Sequence, residues 1–438
     1  MPVLSCGGMR YQHSWDDKDA GGITDEGQAN LEACIRKSLE SGINHIETAR
    51  GYGTSEVQLG RILPTLPRGK LIVQTKVAPS PAGEFRKTFN LSLSNLQLDH
   101  VDLLSIHGIN NRDLWEETIR PGGALEAALQ ILREGKAKFL GFSTHGPCEL
   151  IEEIIASDNF DYVNLHWYFM NRTNWSAVEA AGRHDMGVFI ISPTEKGGCL
   201  HLPSGKLSSL CDPLSPICFN DLYCLLHPQV HTLSIGASRP ADFDEHLKIL
   251  PLIEKSQTKD LVDGIARRLG DQFLRVNGYE MPPRWDRDLP SYKQVPGEIN
   301  LQEITRLWAL DRAFDMQSYG KLRYNLLGNG GHWFPGVNAA EFDQVTIREI
   351  GAKSGVPDLC RILEEAHARF GDAPRKRLKQ TDISFGTLEL MNKRLIFGSW
   401  NSGLSKELFC TLGLWGHFLS TNSFPDFLSS RFILLQVS

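Results

Sequence analysis

The 438-residue chain is long enough for one large domain with an extension, or for two domains. Its 41% hydrophobic and 22% charged residues describe an ordinary soluble globular protein, and a net charge of -6 gives no general attraction to nucleic acid or to an anionic membrane surface. The nine cysteines are scattered, odd in number and never spaced Cys-x-x-Cys, which argues against structural disulfides or a zinc site and for a reducing compartment, the cytoplasm.

The first nine residues read as a strand, with no basic stretch followed by an apolar one, so no signal peptide is expected. No uninterrupted apolar run reaches the roughly 18 residues that a membrane span needs. A polar loop over 12–23 follows. Leu31, Cys34, Ile35 and Leu39 then recur at helical spacing until Gly42. A short strand at 44–49 breaks at Gly51 and Gly53 and gives way to a helix over 55–63, with Ser55 as its expected cap. Strand 71–77, helix 82–96, strand 101–107, helix 124–134, strand 138–143 and helix 148–157 come next. That last helix carries Leu150, Ile151, Ile154 and Ile155 on one face. Strand 161–166, helix 175–183, strand 187–192, a longer loop with a helix over 210–226, strand 231–236 and a helix from about 241 complete the pattern.

Strand and helix thus alternate eight times, and the strands are short apolar runs suited to burial on both faces. An open doubly wound sheet would also alternate, but eight units at this length favour a closed α/β architecture, the (β/α)8 TIM barrel, over residues 1–256. Beyond about 257 the alternation stops. Residues 257–380 read as a mainly helical C-terminal extension, a cap packed on the barrel with aromatic-rich loops (Trp308, Tyr319, Tyr324, Trp333, Phe334). One further helix is expected over 353–379, with Leu359, Ile362, Leu363 and Ala366 on a face and a basic end at 375–379. Residues 381–438 show no clear period and receive no structural assignment.

Three successive strands end in polar groups. Glu47 closes the second with Tyr52 just beyond it, Lys76 closes the third, and His107 the fourth. Parallel strands would bring an acid, a phenol, an ammonium and an imidazole to one rim, where barrel active sites lie. A tyrosine is a weak acid, with an ordinary pKa of about 10. To protonate a developing alkoxide near neutral pH it needs a nearby cation, and a buried lysine in turn needs an anion. Lys76 and Glu47 supply these, and His107 could orient a carbonyl. Such a set moves protons but no electrons, so a hydride donor is required. Singly, each residue has an ordinary alternative: a solvated strand end for Glu47 or Lys76, packing for Tyr52, a satisfied core histidine for His107. Their order on consecutive strand ends is what carries the chemical reading.

Glu47-Thr48-Ala49-x-x-Tyr52-Gly53, Thr75-Lys76 and Leu104-Ser105-Ile106-His107 closely resemble the aldo-keto reductase family, whose pattern is Asp-Thr-Ala-x-x-Tyr-Gly, a strand-end Lys and a strand-end His. The likeness extends over about residues 1–250 and takes in 140–143, Pro193 with Gly197-Gly198, and 235–239. It implies Tyr52 as general acid, Lys76 lowering its pKa, Glu47 in place of the family's Asp, and His107 orienting the carbonyl of a small-molecule substrate. The extra methylene of Glu47 means the carboxylate reaches Lys76 only if the strand end or rotamer adjusts. The resemblance further implies NADPH laid across the rim without a Rossmann fold. Ser143 would be a cofactor contact, Asn164 and His166 would lie at the carboxamide, Ser192 and Thr194 on the phosphate-side loop, Ser238 and Arg239 at a 2′-phosphate, and Asp242 and Glu245 near the adenine.

The segments 323–325 and 332–336 resemble a branch of that family with a ferredoxin-like, cysteine-rich tail. An iron–sulfur cluster needs four thiolates, and only Cys360 and Cys410 follow Cys224, so no metal site is expected. The rival to a carbonyl reductase is a cofactor-sensing binding module, as in the potassium-channel β-subunits that resemble reductases. Substrate identity and oligomeric state are not encoded in any readable motif.

Overall fold

A sheet of strands buried on both faces has no edge strand only if it closes on itself. In the computed structural model, which describes residues 1–286, 288–356 and 358–376, eight parallel strands do so. They are β1 (Leu4–Gly7), β2 (His45–Glu47), β3 (Ile72–Val77), β4 (Val101–His107), β5 (Ala137–Ser143), β6 (Tyr162–Leu165), β7 (Gly187–Ile191) and β8 (Thr232–Ile235). Each pairs with the next in chain order, and β8 returns to β1 through Leu4 opposite Leu233 and Cys6 opposite Ile235. The fold is the (β/α)8 barrel that the alternation predicts, with an extension that is partly helical.

Because side chains alternate along a strand, every second residue points into the barrel, and the interior is layered. At the N-terminal end Leu103, Tyr162 and Phe189 pack with Ile72 and Phe139. One step up, the Gln74 side chain links three strands: its Oε1 accepts from His45 Nε2 (3.0 Å) and its Nε2 donates to Ser105 Oγ (3.0 Å) and Asn164 Oδ1 (2.9 Å). The topmost layer holds Glu47, Lys76, His107, Ser143 and Ser234. The barrel is thus apolar at its base and increasingly polar toward the rim, with most of the buried polar groups paired to one another.

The helices differ from expectation where prolines and glycines intervene. The helix expected over 210–226 is two, Gly205–Cys211 and Pro216–Leu225. Ser215 Oγ accepts from the Cys218 amide at 3.1 Å and starts the second with Pro216 in its first turn. The helix expected over 353–379 is likewise replaced by Gln344–Lys353 and Leu359–Phe370. Gly355 between them has φ +71°, which a right-handed helix cannot pass. Leu359, Ile362, Leu363 and Ala366 are nevertheless buried on one face. An unexpected helix, Arg112–Ile119, is capped by Asn111, which accepts from the Leu114 amide at 2.9 Å. The basic run beyond Lys376 and the segment 381–438 lie outside the described residues.

The extension continues through helices Gln257–Asn277, Leu301–Phe314 and Gln317–Tyr324. It makes contacts to loops beyond β6 and β7. Arg172 donates to the Met281 carbonyl (2.8 Å), Trp285 Nε1 to that of Met170 (3.2 Å), and Ser204 Oγ to that of Phe314 (2.6 Å). Helix 317–324 meets helix 359–370 at Gly320, where an added Cβ would overlap the Phe370 ring. Gly320→Ala should therefore overpack this contact and cost about 1–3 kcal/mol, read as a lower midpoint in urea unfolding.

Candidate active site

The loop after β2 is fixed before any side chain is considered. The Thr48 amide donates to the Gln74 carbonyl (2.8 Å) and the Arg50 amide to that of Lys76 (2.9 Å), so it hangs from β3. The Tyr52 amide closes a turn on the Ala49 carbonyl (3.0 Å), and Gly53 follows with φ +55°. A Cβ at Gly53 would overlap the Ser14 carbonyl oxygen, so only glycine lets the 12–23 loop pack down here. Ser55 does not cap the next helix as expected. It is the first helical residue, and its hydroxyl is turned inward to Thr48 Oγ1 at 2.8 Å. Its place as N-cap falls to Thr54.

Glu47, Lys76, Tyr52 and His107 meet at the rim. Glu47 and Lys76 are both buried and form a direct ion pair; the other Glu47 oxygen accepts from Ser234 Oγ. The longer side chain therefore spans β8 and β3, and the carboxylate reaches the lysine. Lys76 Nζ also donates to the Thr48 carbonyl (3.1 Å) and to the Tyr52 hydroxyl (3.4 Å), with the Tyr52 ring centroid 5.0 Å away. The Tyr52 and His107 rings meet edge to face at 5.6 Å.

Burial alone would push the Glu47 carboxyl up, but the charge and hydrogen bond of Lys76, with Ser234, bring it below the ordinary carboxylate range. Burial would lower Lys76, yet Glu47 and then Tyr52 raise it above a free lysine, so the ammonium is secure. For Tyr52, burial outweighs the opposing pull of Lys76, and the phenol is pushed up. Burial, followed by the charges of Lys76, His332 and Lys196, brings His107 down to about 3, so its imidazole is neutral. The arrangement is a protonated phenol beside a permanent cation and a neutral imidazole.

Of these groups His107 lines a cavity of about 440 Å³, together with Trp15, Asp17, Arg50, Glu84 and Thr88. Arg50 pairs with the buried Glu56 at 3.1 Å and with Asp17. On the other side of His107 the extension contributes His332, which shares a 2.9 Å hydrogen bond with Asn110, and Trp333, whose ring centroid is 6.2 Å from that of His145.

The residues expected around a cofactor separate into groups. Ser143 Oγ accepts from the Gly108 amide (3.0 Å). Asn164 Oδ1 is held by Gln74, and its buried Nδ2 has no partner among the described residues. His166 Nε2 lies 2.9 Å from His145 Nδ1. Ser192 follows β7 at φ +57°, and Thr194 is buried behind it. At the end of β8 the Ser238 amide and hydroxyl both donate to Asp242 Oδ2 (2.9 and 2.8 Å), and Arg239 Nε donates to Asp242 Oδ1 (3.1 Å). Glu245 stands apart, its carboxylate paired with Lys248. Sequence reasoning missed Arg10. Its Nη1 donates to the Gly236 carbonyl (2.6 Å), its Nη2 lies 3.9 Å from Asp242, and a Cβ at Gly198 would come within 2.5 Å of it. No motif surrounds Arg10 in the sequence. It also missed His145, His332 and Trp333 as members of the site, although the last two stand in a segment singled out for other reasons.

Residues 3–201 match the family model described as Aldo/keto reductase family. A proposed voltage-gated potassium channel β-subunit of Schizosaccharomyces pombe is 25% identical over 307 residues, 57% of this chain and 86% of that protein. Morphine 6-dehydrogenase of Pseudomonas putida is 34% identical over 157 residues, 34% of this chain and 51% of that enzyme. L-galactose dehydrogenase of Arabidopsis thaliana is 35% identical over 121 residues, 25% of this chain and 37% of that enzyme. The chain thus spans about half, or less, of these two dehydrogenases. A crystal structure of a thermostable aldo-keto reductase with the inhibitor epalrestat superposes with a TM-score of 0.50 at 20% identity, covering 60% of this chain and 95% of that one, a likeness of fold.

The Glu47–Lys76 pair has a measurable signature. Glu47→Gln leaves a buried ammonium without its counter-ion and should cost about 3–5 kcal/mol in urea unfolding near pH 7. Because the folded pKa of Glu47 is depressed, its contribution is present above the unfolded value of about 4.3 and is lost as pH falls through the folded one. The difference between wild type and variant should shrink below about pH 4.

Proposed function

We propose that the chain, whose residues 3–201 match the Aldo/keto reductase family model, is an NADPH-dependent oxidoreductase that reduces an aldehyde or ketone to an alcohol. The observation that carries the reading is the Tyr52 hydroxyl 3.4 Å from an ammonium that Glu47 keeps charged. A carbonyl substrate in the adjoining cavity would accept a hydrogen bond from Tyr52 and another from the neutral imidazole of His107. As charge develops on the carbonyl oxygen, Tyr52 gives up its proton and Lys76 stabilises the phenolate left behind. With its hydroxyl pushed up by burial, Tyr52 keeps that proton at neutral pH until the alkoxide claims it.

The cofactor, when bound, supplies the hydride. The residues present fit a nicotinamide dinucleotide. The Asn164 Nδ2 is a buried donor in want of an acceptor such as a carboxamide oxygen. At the far end Arg239 is 62% exposed, and among the described residues only its Nε is engaged, so its terminal nitrogens suit a phosphate dianion. That guanidinium is what favours NADPH over NADH, with Ser192, Thr194, Ser238, Asp242 and Glu245 as the accompanying candidates. The family acts on small carbonyl compounds, and the polar cavity beside Arg50 and Trp15 is where one would enter.

A second reading is favoured by the channel-subunit relative, which is matched over most of its length: a cofactor-sensing module with little turnover, whose partner is captured through residues 258–438. The two separate in one assay. With a panel of small aldehydes, absorbance at the reduced nicotinamide band should fall, and Tyr52→Phe should slow turnover by about 10²–10⁴-fold while cofactor still quenches tryptophan fluorescence. Full activity in Tyr52→Phe would overturn the role of Tyr52. Tight cofactor binding with negligible wild-type turnover, and a partner captured through the extension, would favour the module.

A further inference from the structure

Arg50 serves two acids that differ in how firmly they are held. The Glu56 side chain, in the first turn of helix Ser55–Ile62, is fully buried. It accepts from Thr75 Oγ1 (2.7 Å), Asn95 Nδ2 (3.4 Å) and Arg50 Nη1 (3.1 Å), and no other ion pair among the described residues includes it. A buried carboxylate needs a cation, so Glu56 fixes where the guanidinium stands. The Arg50 amide, bonded to the Lys76 carbonyl, fixes the other end of the residue. The second acid is Asp17, whose side chain is 46% exposed and takes Arg50 Nη2. A pair this open to water is weak and is screened by salt. One half of the guanidinium fork is a permanent anchor, and the other half can let go.

Asp17 belongs to a segment with firm ends. On one side the His13 amide donates to Gln58 Oε1 (2.8 Å) and the Ser14 amide to Thr54 Oγ1 (3.0 Å). On the other, Thr24 Oγ1 accepts from the Gly27 amide (3.1 Å) and caps helix Asp25–Glu40. Between these ends, residues 15–23 meet the barrel through Asp17 on Arg50 and through the Trp15 ring, edge to face with Tyr52 at 6.4 Å. Trp15, Asp17 and Arg50 all line the cavity that His107 lines. The weak half of the fork thus governs a segment that walls the reaction site.

We propose that Arg50 is a positioning residue: anchored on Glu56 and latched to Asp17, it holds residues 15–23 as a strap whose Trp15 walls the carbonyl site beside Tyr52 and His107. The function of the wall rests on the reductase reading; the latch does not. Arginine suits the task because its planar fork reaches two carboxylates at once, whereas a lysine ammonium is a single point of charge. With the latch closed, Trp15 bounds the space in which the carbonyl is oriented. Released, the strap widens the entry without disturbing Glu56 or the Lys76 pair.

The test follows amide hydrogen exchange of peptides spanning residues 15–23 in the full chain. Asp17→Asn should speed their exchange by up to about fivefold, the most that a surface pair of about 1 kcal/mol provides. Asp17→Glu should restore the slow exchange, and about 1 M salt should make wild type resemble Asp17→Asn. Arg50→Lys keeps a cation for Glu56 but loses the fork. It should therefore exchange like Asp17→Asn while holding a higher urea midpoint than Arg50→Met, which strands the buried acid. The wall is read by calorimetry, with 4-nitrobenzaldehyde titrated into the chain saturated with oxidised cofactor so that no reduction occurs. Asp17→Asn should weaken aldehyde binding about threefold to fivefold, with affinity for the cofactor unmoved and Asp17→Glu restoring it. Equal exchange in wild type and Asp17→Asn would overturn the latch whatever the enzyme does. Faster exchange with unaltered aldehyde binding would overturn the positioning role. Were wild type to bind no aldehyde, the reductase reading and the wall would fall together, and exchange would still decide the latch.

Discussion

A charged lysine inside a protein must be given an anion, and here that requirement fixes the rim of the barrel. Lys76 is 1% exposed and Glu47 3%, so their attraction acts where water cannot screen it, against a desolvation cost that only good geometry offsets. The geometry comes from neighbouring strands. Glu47 and Lys76 lie on β2 and β3, which are paired with Glu47 opposite Gln74, and Ser234 reaches the second carboxylate oxygen from β8. The remaining hydrogen bonds of the ammonium go to the Thr48 carbonyl and to Tyr52. The one ligand of Lys76 that can release a proton is thereby placed at the mouth, beside His107 and the cavity.

The rest of the barrel grades toward that pair. Apolar Leu103 and Phe189 at the base give way to the Gln74–Ser105–Asn164 network and then to the charged rim. Tyr162 ties the base to this network through Ser105, and two buried nitrogens of the network, Asn164 Nδ2 and His45 Nδ1, have no partner among the described residues. An unsatisfied buried donor costs about 1–3 kcal/mol, which a bound acceptor would return. The extension acts on the opposite flank. Through Tyr319 to Glu195, His332 to Asn110 and Trp333 against His145, it braces loops after β4, β5 and β7. Residues far apart in the chain thus share one pocket.

Much of this was legible in the sequence because it is local. Strand ends follow from short apolar runs, and Glu47, Tyr52, Lys76 and His107 sit at or just past them, so one period rule placed all four on the rim. The extra methylene of Glu47 is accommodated because a serine on β8 takes the second oxygen, a partner 187 positions away. What was not legible is non-local or depends on backbone conformation. Arg10 acts through Gly236 and Gly198, and the His145–His166 and Lys196–Trp333 contacts join segments that no periodicity links. Ser55 looked like a cap because its type suits one, but Thr48 competes for its hydroxyl. The helix expected over 353–379 ignored the sign of φ at Gly355.

The central claim is that the charge of Lys76, secured by Glu47, acts directly on the Tyr52 hydroxyl. The most direct measurement is the ultraviolet titration of Tyr52 itself, taken as the difference between wild type and Tyr52→Phe, and repeated in a Lys76→Met background. Loss of the ammonium should move ionisation of Tyr52 to distinctly higher pH. An unchanged titration curve would mean that the lysine does not govern the phenol, and the account of this rim as a proton-transfer site would fail.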